Sequence, residues 1–294
     1  MEELGPEESL RAENSAARSP EVRIRTRSEA TSQNMTHKTR VRKYEHVLFQ
    51  GQTFVVTGGG SGIGLAITLT LCDRGATVWT PELSPNPPEE LKPLIERGTV
   101  HFKGDIDVAS RTACKAFMDD VIATSGRLDG LVNNAGIGLT EGPIASDDAF
   151  DRMVDVNLKG TWNYGTQALQ IMQNQEPRGP WASRGNIASG AGLRGVSCLA
   201  VYCATKHALI GLARSWALDF GSYGIRVNAV APGITETPAF VKRVREEEGF
   251  LDTLPSNPIN RYGKPSEIAA SVSFLLSDES SYVTGDVLAV SGGS

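Results

Sequence analysis

From Thr53 onward, short apolar runs alternate with longer segments whose apolar residues recur at helical spacing. "TFVVTG" and "ATVWT" read as buried strands, separated by a helix from about Ile63 to Arg74. Glu89 to Arg97 reads as a short helix weakened by Pro93. "VHFKGDI" and "GLVNNAG" are the next strands, with a helix through Ala113–Ile122 between them. A long helix covers roughly Asp148 to Gln173, and a weak strand near Asn186–Ala188 leads into a helix from about Leu199 to Phe220. The strand "IRVNAVAPG" follows, then a loop-and-helix excursion at 238–260, a helix from near Pro265 and a last strand, "DVLAVSGG". Apolar strands alternating with helices predict a parallel sheet covered on both faces. The expected fold is therefore α/β, a doubly wound, Rossmann-like parallel sheet of about seven strands in a single domain, with ligands beyond the strand carboxyl ends.

The first 43 residues do not share this pattern. They are nearly devoid of aromatic and long aliphatic side chains, acidic at the start and basic later. Such a stretch cannot bury enough apolar surface to offset its ordering entropy, which predicts a disordered tail over 1–43 and a folded unit over 44–294. The net charge of −5 argues against nucleic acid as a partner, because phosphate binding needs dense positive charge. Four scattered cysteines, with no CxxC and no paired histidines, predict free thiols and no metal site. No apolar run approaches the ~20 residues needed to span a bilayer. The expectation is a cytoplasmic protein with no membrane association.

Chemistry enters at "TGGGSGIG", Thr57 to Gly64, between the first strand and first helix. Gly58, Gly62 and Gly64 let the backbone approach a pyrophosphate closely, and the helix N-terminus offers it unpaired amides. In a βαβ unit this is a dinucleotide-binding signature. Glu82 lies 18 residues after Gly64, near the ~20 expected for a carboxylate that reaches the adenosine ribose. A carboxylate there accepts from a free 2′-hydroxyl and repels a 2′-phosphate. No arginine or lysine follows it until Lys92. NAD is expected, with NADP the alternative.

In "VYCATKHAL", Tyr202 and Lys206 are four residues apart and project from one helix face. Bringing an ordinary phenol from pKa ~10 to ~7 takes about 4 kcal/mol. A cation ~5 Å away at an effective dielectric near 20 supplies roughly 3 kcal/mol of that. Alone, such a pair is a tyrosine and a lysine on a solvated face. Here it accompanies "TGGGSGIG", "NNAG" (133–136), Asn157, Ser189 and "PGITET" (232–237), in the order and spacing of the short-chain dehydrogenase/reductase family. The resemblance spans about Gln50 to Gly293.

That resemblance implies an NAD(P)-dependent alcohol dehydrogenase or ketoreductase acting on CH–OH. Tyr202 would exchange a proton with the substrate oxygen while hydride moves to or from a nicotinamide. Lys206 would support the tyrosine and hold the nicotinamide ribose. Ser189, thirteen residues before Tyr202, would hydrogen-bond the substrate oxygen. Asn157 would keep a water against the lysine. For the cofactor, the resemblance implies contacts from Gly58, Ser61, Gly62, Ile63, Gly64 and Glu82 and from Asp105 at the adenine. Asn133, Ala135 and Gly136 would line the adenosine side, with Pro232, Gly233, Ile234 and Thr237 towards the carboxamide. Two departures stand out. The fifth strand, "SRGNIASG", reads about three residues short unless the upstream "PWAS" joins it, and Ser291 replaces a usual aspartate.

Substrate choice is expected in "GAGLRGVSCLA", in "IGLTEGP" and in a lid over about 238–260. Arg194 is the charged residue expected near the mouth, and its apolar surroundings favour a hydrophobic secondary alcohol or ketone. By resemblance, a homodimer or homotetramer built on the two long helices is expected. Two alternatives stay open: an NADPH-dependent carbonyl reductase, and an inactive NAD-binding sensor or assembly protein, motivated by the short fifth strand.

Overall fold

The computed structural model describes residues 48–139, 142–176, 182–187, 192–246, 248, 251, 254 and 256–294. Its strands are β1 (Thr53–Val56), β2 (Thr77–Pro81), β3 (Val100–Lys103), β4 (Gly130–Asn133), β5 (Ala182–Ile187), β6 (Ile225–Pro232) and β7 (Val287–Val290). Its helices are α1 (Gly62–Asp73), α2 (Lys92–Glu96), α3 (Arg111–Ser125), α4 (Asp147–Met153), α5 (Gly160–Gln173), α6 (Ala200–Phe220), α7 (Pro238–Glu246) and α8 (Pro265–Leu276). Among the described residues the strands form one seven-stranded sheet, ordered β3-β2-β1-β4-β5-β6-β7. Every pairing is parallel.

Strand alternation sorts the core into two layers. Val55, Trp79 and Leu131 face a cluster with α3, α5 and α6. Their chain neighbours Phe54, Val56, Val78 and Val132 face the opposite cluster, with α1 and α8. Because the sheet is buried on both faces, β1 and β6 are buried at every position. The strand order reverses between β1 and β4, so the crevice above their carboxyl ends is where this topology holds ligands.

Several boundaries differ from the sequence expectation for identifiable reasons. The helix expected over 113–122 runs from Arg111 to Ser125 because Ser110 Oγ accepts from the Ala113 amide and Gly126 ends it in a left-handed conformation. Pro93 does not weaken α2, since it lies in the first turn, where no amide is needed. β3 stops at Lys103, and Asp105 then turns the chain at φ +58°.

The expected long helix at 148–173 is α4 and α5 joined by a π-helical turn, Val154–Lys159. The fifth strand is not short. It takes in Ala182 and Ser183 upstream, pairing with β6 along its six residues and with β4 from Ser183 to Asn186.

Candidate active site

The loop between β1 and α1 is shaped by contacts a side chain would destroy. Gly58 and Gly62 have φ of +65° and +53°. A β-carbon on Gly64 would overlap the Gly58 carbonyl oxygen. The loop is braced on both sides. Thr80 Oγ1 on β2 accepts from the Gly59 amide at 2.9 Å, and Thr68 Oγ1 on α1 donates to the Gly59 carbonyl at 3.0 Å. From the β4 side, Asn134 Nδ2 donates to the Thr57 and Gly58 carbonyls at 3.0 and 2.9 Å, while Thr57 Oγ1 accepts from the amides of Asn134 and Ala135. Ser61, at the head of α1, makes no side-chain cap, and no acid occupies the first turn. The orphan amides and positive end of the helix dipole are thus left for an anion.

Glu82 follows β2 and its carboxylate accepts a hydrogen bond from the Gly60 amide. Burial holds its pKa above the ordinary carboxylate value, outweighing the amide bonds from Gly60 and Leu83 that favour the charged form. Its backbone is tied to the end of β3 by Glu82 N to the Lys103 carbonyl and Ile106 N to the Glu82 carbonyl.

On α6, Lys206 is buried, 5% exposed, with its ammonium 5.6 Å from the Tyr202 ring centroid. Two loop glycines make room for the pair. A β-carbon on Gly136 would sit 3.1 Å from Lys206 Nζ, and one on Gly138 would sit 3.6 Å from the Tyr202 ring. Asn157, on the π-helical turn, is fully buried and acts as a clamp. Its Oδ1 accepts from the Ile137 amide, and its Nδ2 donates to the Ile137 carbonyl and to Thr205 Oγ1. Its side chain is thus committed to protein partners, joining the loop after β4 to the residue before Lys206.

These parts surround one cavity of about 510 Å³. Its wall runs from Gly58, Ser61, Gly62 and Ile63 past Glu82 to Ile106, Asp107 and Val108, and back along Asn134–Gly138 to Tyr202, Lys206, Pro232, Gly233, Thr235 and Thr237. Lys206 Nζ faces it with no hydrogen bond or ion pair to any described residue. A buried ammonium in that state calls for acceptor oxygens. Together with the open amides of α1 and the Glu82 carboxylate, this donor and acceptor set fits a dinucleotide: pyrophosphate at α1, ribose hydroxyls at Glu82 and at Lys206.

A family model described as "Enoyl-(Acyl carrier protein) reductase" matches residues 58–294. The 3-oxoacyl-[acyl-carrier-protein] reductase FabG of Thermotoga maritima is 36% identical over 250 residues, covering 83% of this chain and 98% of that one. The 2,5-dichloro-2,5-cyclohexadiene-1,4-diol dehydrogenase of Sphingobium indicum is 38% identical over 246 residues, covering 83% and 96%. The crystal structure of levodione reductase superposes with a TM-score of 0.76 at 34% identity, covering 83% of this chain and 97% of that one. The chain belongs to the short-chain dehydrogenase/reductase family. It is an oxidoreductase of the alcohol and ketone class with a Rossmann-like fold.

Within this short-chain dehydrogenase/reductase, most of the expected residues meet at the cavity: Gly58, Ser61, Gly62, Ile63, Glu82, Ala135, Gly136, Tyr202, Lys206, Pro232, Gly233 and Thr237. Gly64 lies beneath it, packed on Gly58. Asn133 is buried at the end of β4, away from the wall. Ile234 is also off the wall, its carbonyl accepting from the Gly263 amide. Asp105 is exposed and outside the lining, where Ile106 and Asp107 stand instead. Ser189 lies outside the described residues. Arg194 is exposed and not part of the cavity wall, whereas Arg152 on α4 is. Asn134, Asp107 and Arg152 also line the cavity, beyond the residues expected from the sequence. The first was signalled by the doubled asparagine of "NNAG"; the other two carry no motif. No helix among the described residues is long and apolar enough to cross a membrane.

Proposed function

We propose that this protein transfers a hydride between NAD(H) and a hydrophobic secondary alcohol or its ketone. The observation that carries the reading is the buried ammonium of Lys206, without an oxygen partner among the described residues, beside Tyr202 in a cavity that also holds the amide end of α1. The cofactor, when bound, supplies the hydride acceptor or donor. The chain's own residues do the rest. Tyr202 Oη passes a proton to or from the substrate oxygen, with the Lys206 ammonium beside it. Lys206 also donates to ribose hydroxyls, Asn157 keeps the lysine's helix in register with the loop after β4, and Ser189 orients the substrate oxygen.

Glu82 supports NAD over NADP. Its carboxylate occupies the wall where a 2′-phosphate would otherwise sit, with no lysine or arginine of the cavity lining beside it in the chain. Leu193 and Val196, exposed in the segment before α6, support an apolar substrate. Trp162 on α5 (48% exposed) and Leu218 on α6 (86% exposed) support self-association through these helices.

The test is turnover of a panel of secondary alcohols and ketones with NAD(H) and NADP(H), for the wild type and Tyr202→Phe. The reading expects NAD-dependent turnover that Tyr202→Phe abolishes. Activity surviving that substitution refutes the proton-transfer role. Binding of NAD without any turnover favours the non-catalytic alternative, and preference for NADP refutes the role given to Glu82.

A further inference from the structure

The cavity wall carries two cations, Lys206 and Arg152, and two acids, Glu82 and Asp107. Lys206 and Glu82 have roles in the reading above, and Asp107 accepts from the Ala109 amide; Arg152 has neither. It is exposed, and its guanidinium makes no hydrogen bond or ion pair with any described residue, although it stands on a helix capped by Ser146.

Its position follows from the packing around β3. The loop 106–109 is pinned to α5, with Asn163 Nδ2 donating to the Val108 and Ala109 carbonyls at 3.0 Å each. A β-carbon on Gly160 would come within 2.8 Å of Val108 Cγ2, so that helix and loop touch directly. From Gly160, Val156 and Arg152 recede at four-residue steps, both lining the cavity. Val156 shares the apolar cluster of Val108. This end lies at the β3 edge of the sheet, opposite the Thr235–Thr237 end beyond β6. Between them the pyrophosphate end of α1 and Glu82 follow in order. A dinucleotide laid along this wall therefore has its purine against Ile106, Val108 and Val156.

We propose that Arg152 forms the outer wall of that purine slot, its planar guanidinium lying over the adenine face that the apolar residues leave uncovered. The inference rests on the dinucleotide reading above and goes beyond it by assigning base recognition to a residue outside the family motifs. Arginine suits the task because its guanidinium is flat and weakly hydrated and stacks on aromatic faces, whereas a lysine ammonium is a compact hydrated charge.

The experiment is calorimetric titration of the full-length protein with NAD and with ADP-ribose, for wild type, Arg152→Ala and Arg152→Lys, together with substrate KM at saturating NAD. Arg152→Ala is expected to weaken NAD and ADP-ribose by the same factor, roughly 3- to 30-fold, with substrate KM unchanged. Arg152→Lys is expected to recover little of the loss. Unchanged affinity in Arg152→Ala, a loss confined to substrate KM, or full recovery in Arg152→Lys would each overturn the stacking role. A wild type that binds neither NAD nor ADP-ribose overturns the dinucleotide reading itself, a result separable from the other three.

Discussion

Gly64→Ala puts a single methyl group where the nucleotide loop closes on itself. The added carbon would overlap both the Gly58 carbonyl oxygen and the Asn134 side-chain amide. Neither can rotate away. The carbonyl belongs to a backbone held at φ +65°, and the amide is fixed by donating to Thr57 O and Gly58 O at 3.0 and 2.9 Å. Relief requires the Asn134 amide to be forced off both of its acceptors and the head of α1 to shift from the Gly58 carbonyl. Each Asn134 bond is worth about 1 kcal/mol net, and more where a carbonyl is left unsatisfied, so the loss is about 2–5 kcal/mol. For a domain of this size that lowers Tm by roughly 5–15 °C. Displacement of α1 also withdraws the amides proposed to hold pyrophosphate, so NAD should bind at least about tenfold more weakly.

Thermal denaturation by circular dichroism and calorimetric titration measure the two effects. Gly211→Ala is the matched control. That glycine lies inside α6 with open space around its missing β-carbon, so the same methyl should stabilise by roughly 0.5–1 kcal/mol. A Gly64→Ala protein melting within about 2 °C of wild type, with unchanged NAD affinity, would refute the close packing described for the loop.

Three further outcomes are expected. Because burial raises the Glu82 pKa, its carboxyl regains a proton at a higher pH than an ordinary glutamate as pH falls, so NAD affinity should weaken early on acidification and this dependence should flatten in Glu82→Gln; titrations between pH 4.5 and 8 (a range set about the ordinary carboxylate value) decide it. The folded state binds that proton more tightly than the unfolded chain, so the group's contribution to stability falls as pH rises through the same window. Asn157→Ala removes three buried side-chain hydrogen bonds and should cost about 2–4 kcal/mol and more than about tenfold in kcat, read by thermal melts and steady-state rates. Alkylation of the native protein at pH 8 (just below the usual thiol pKa) should mark exposed Cys198 well before Cys72 and Cys114, whose burial raises their thiols to about 12; mass spectrometry that finds Cys114 labelled first would contradict the packing of α3.

What was legible in the sequence followed from strong local patterns. Apolar strands, the glycine loop and the Tyr202–Lys206 spacing each restrict the chain within a few residues, and the fold kept them. β5 was legible only as a weak, short strand near Asn186–Ala188, because "ASRGNI" has little apolar content. Its identity as a strand comes from hydrogen bonding to β4 and β6 on its two sides, which no local pattern records. Asp105 matches a family position at the end of the third strand, but the turn it makes at φ +58° places it in solvent and brings Ile106 and Asp107 to the wall. Arg152 was invisible for a similar reason. Only the packing of Gly160 on Val108 tells which helix face meets the cavity.

Among the described residues, the non-glycine positions at positive φ, where backbone strain is real, gather on one side of the sheet. Gly58 and Gly62 in the left-handed region, Asp105 at φ +58° and the π-helical turn that carries Asn157 all lie beyond the carboxyl ends of β1, β3 and β4, around the cavity. Cys198, another non-glycine residue at positive φ (+59°), lies four residues before Tyr202. At the amino ends of the strands positive φ falls on glycines, Gly51, Gly75, Gly98, Gly126, Gly224 and Gly285, where it costs little, and Asp129 accepts from the Thr53 amide and pairs with Arg127. Strained backbone costs of order 1–3 kcal/mol per residue and persists only where its surroundings over-determine it. The surroundings here do so through named bonds: Asn134 and Thr80 at the glycine loop, Asn157 and Asn163 beside β3 and β4. Thr80, Asn157 and Asn163 each tie a loop above the sheet to a helix or strand and Asn134 ties two such loops together, so loosening any one should disturb nucleotide binding more than it disturbs the core. A rigid, apolar lower half thereby holds an upper rim whose shape its own local preferences would not maintain.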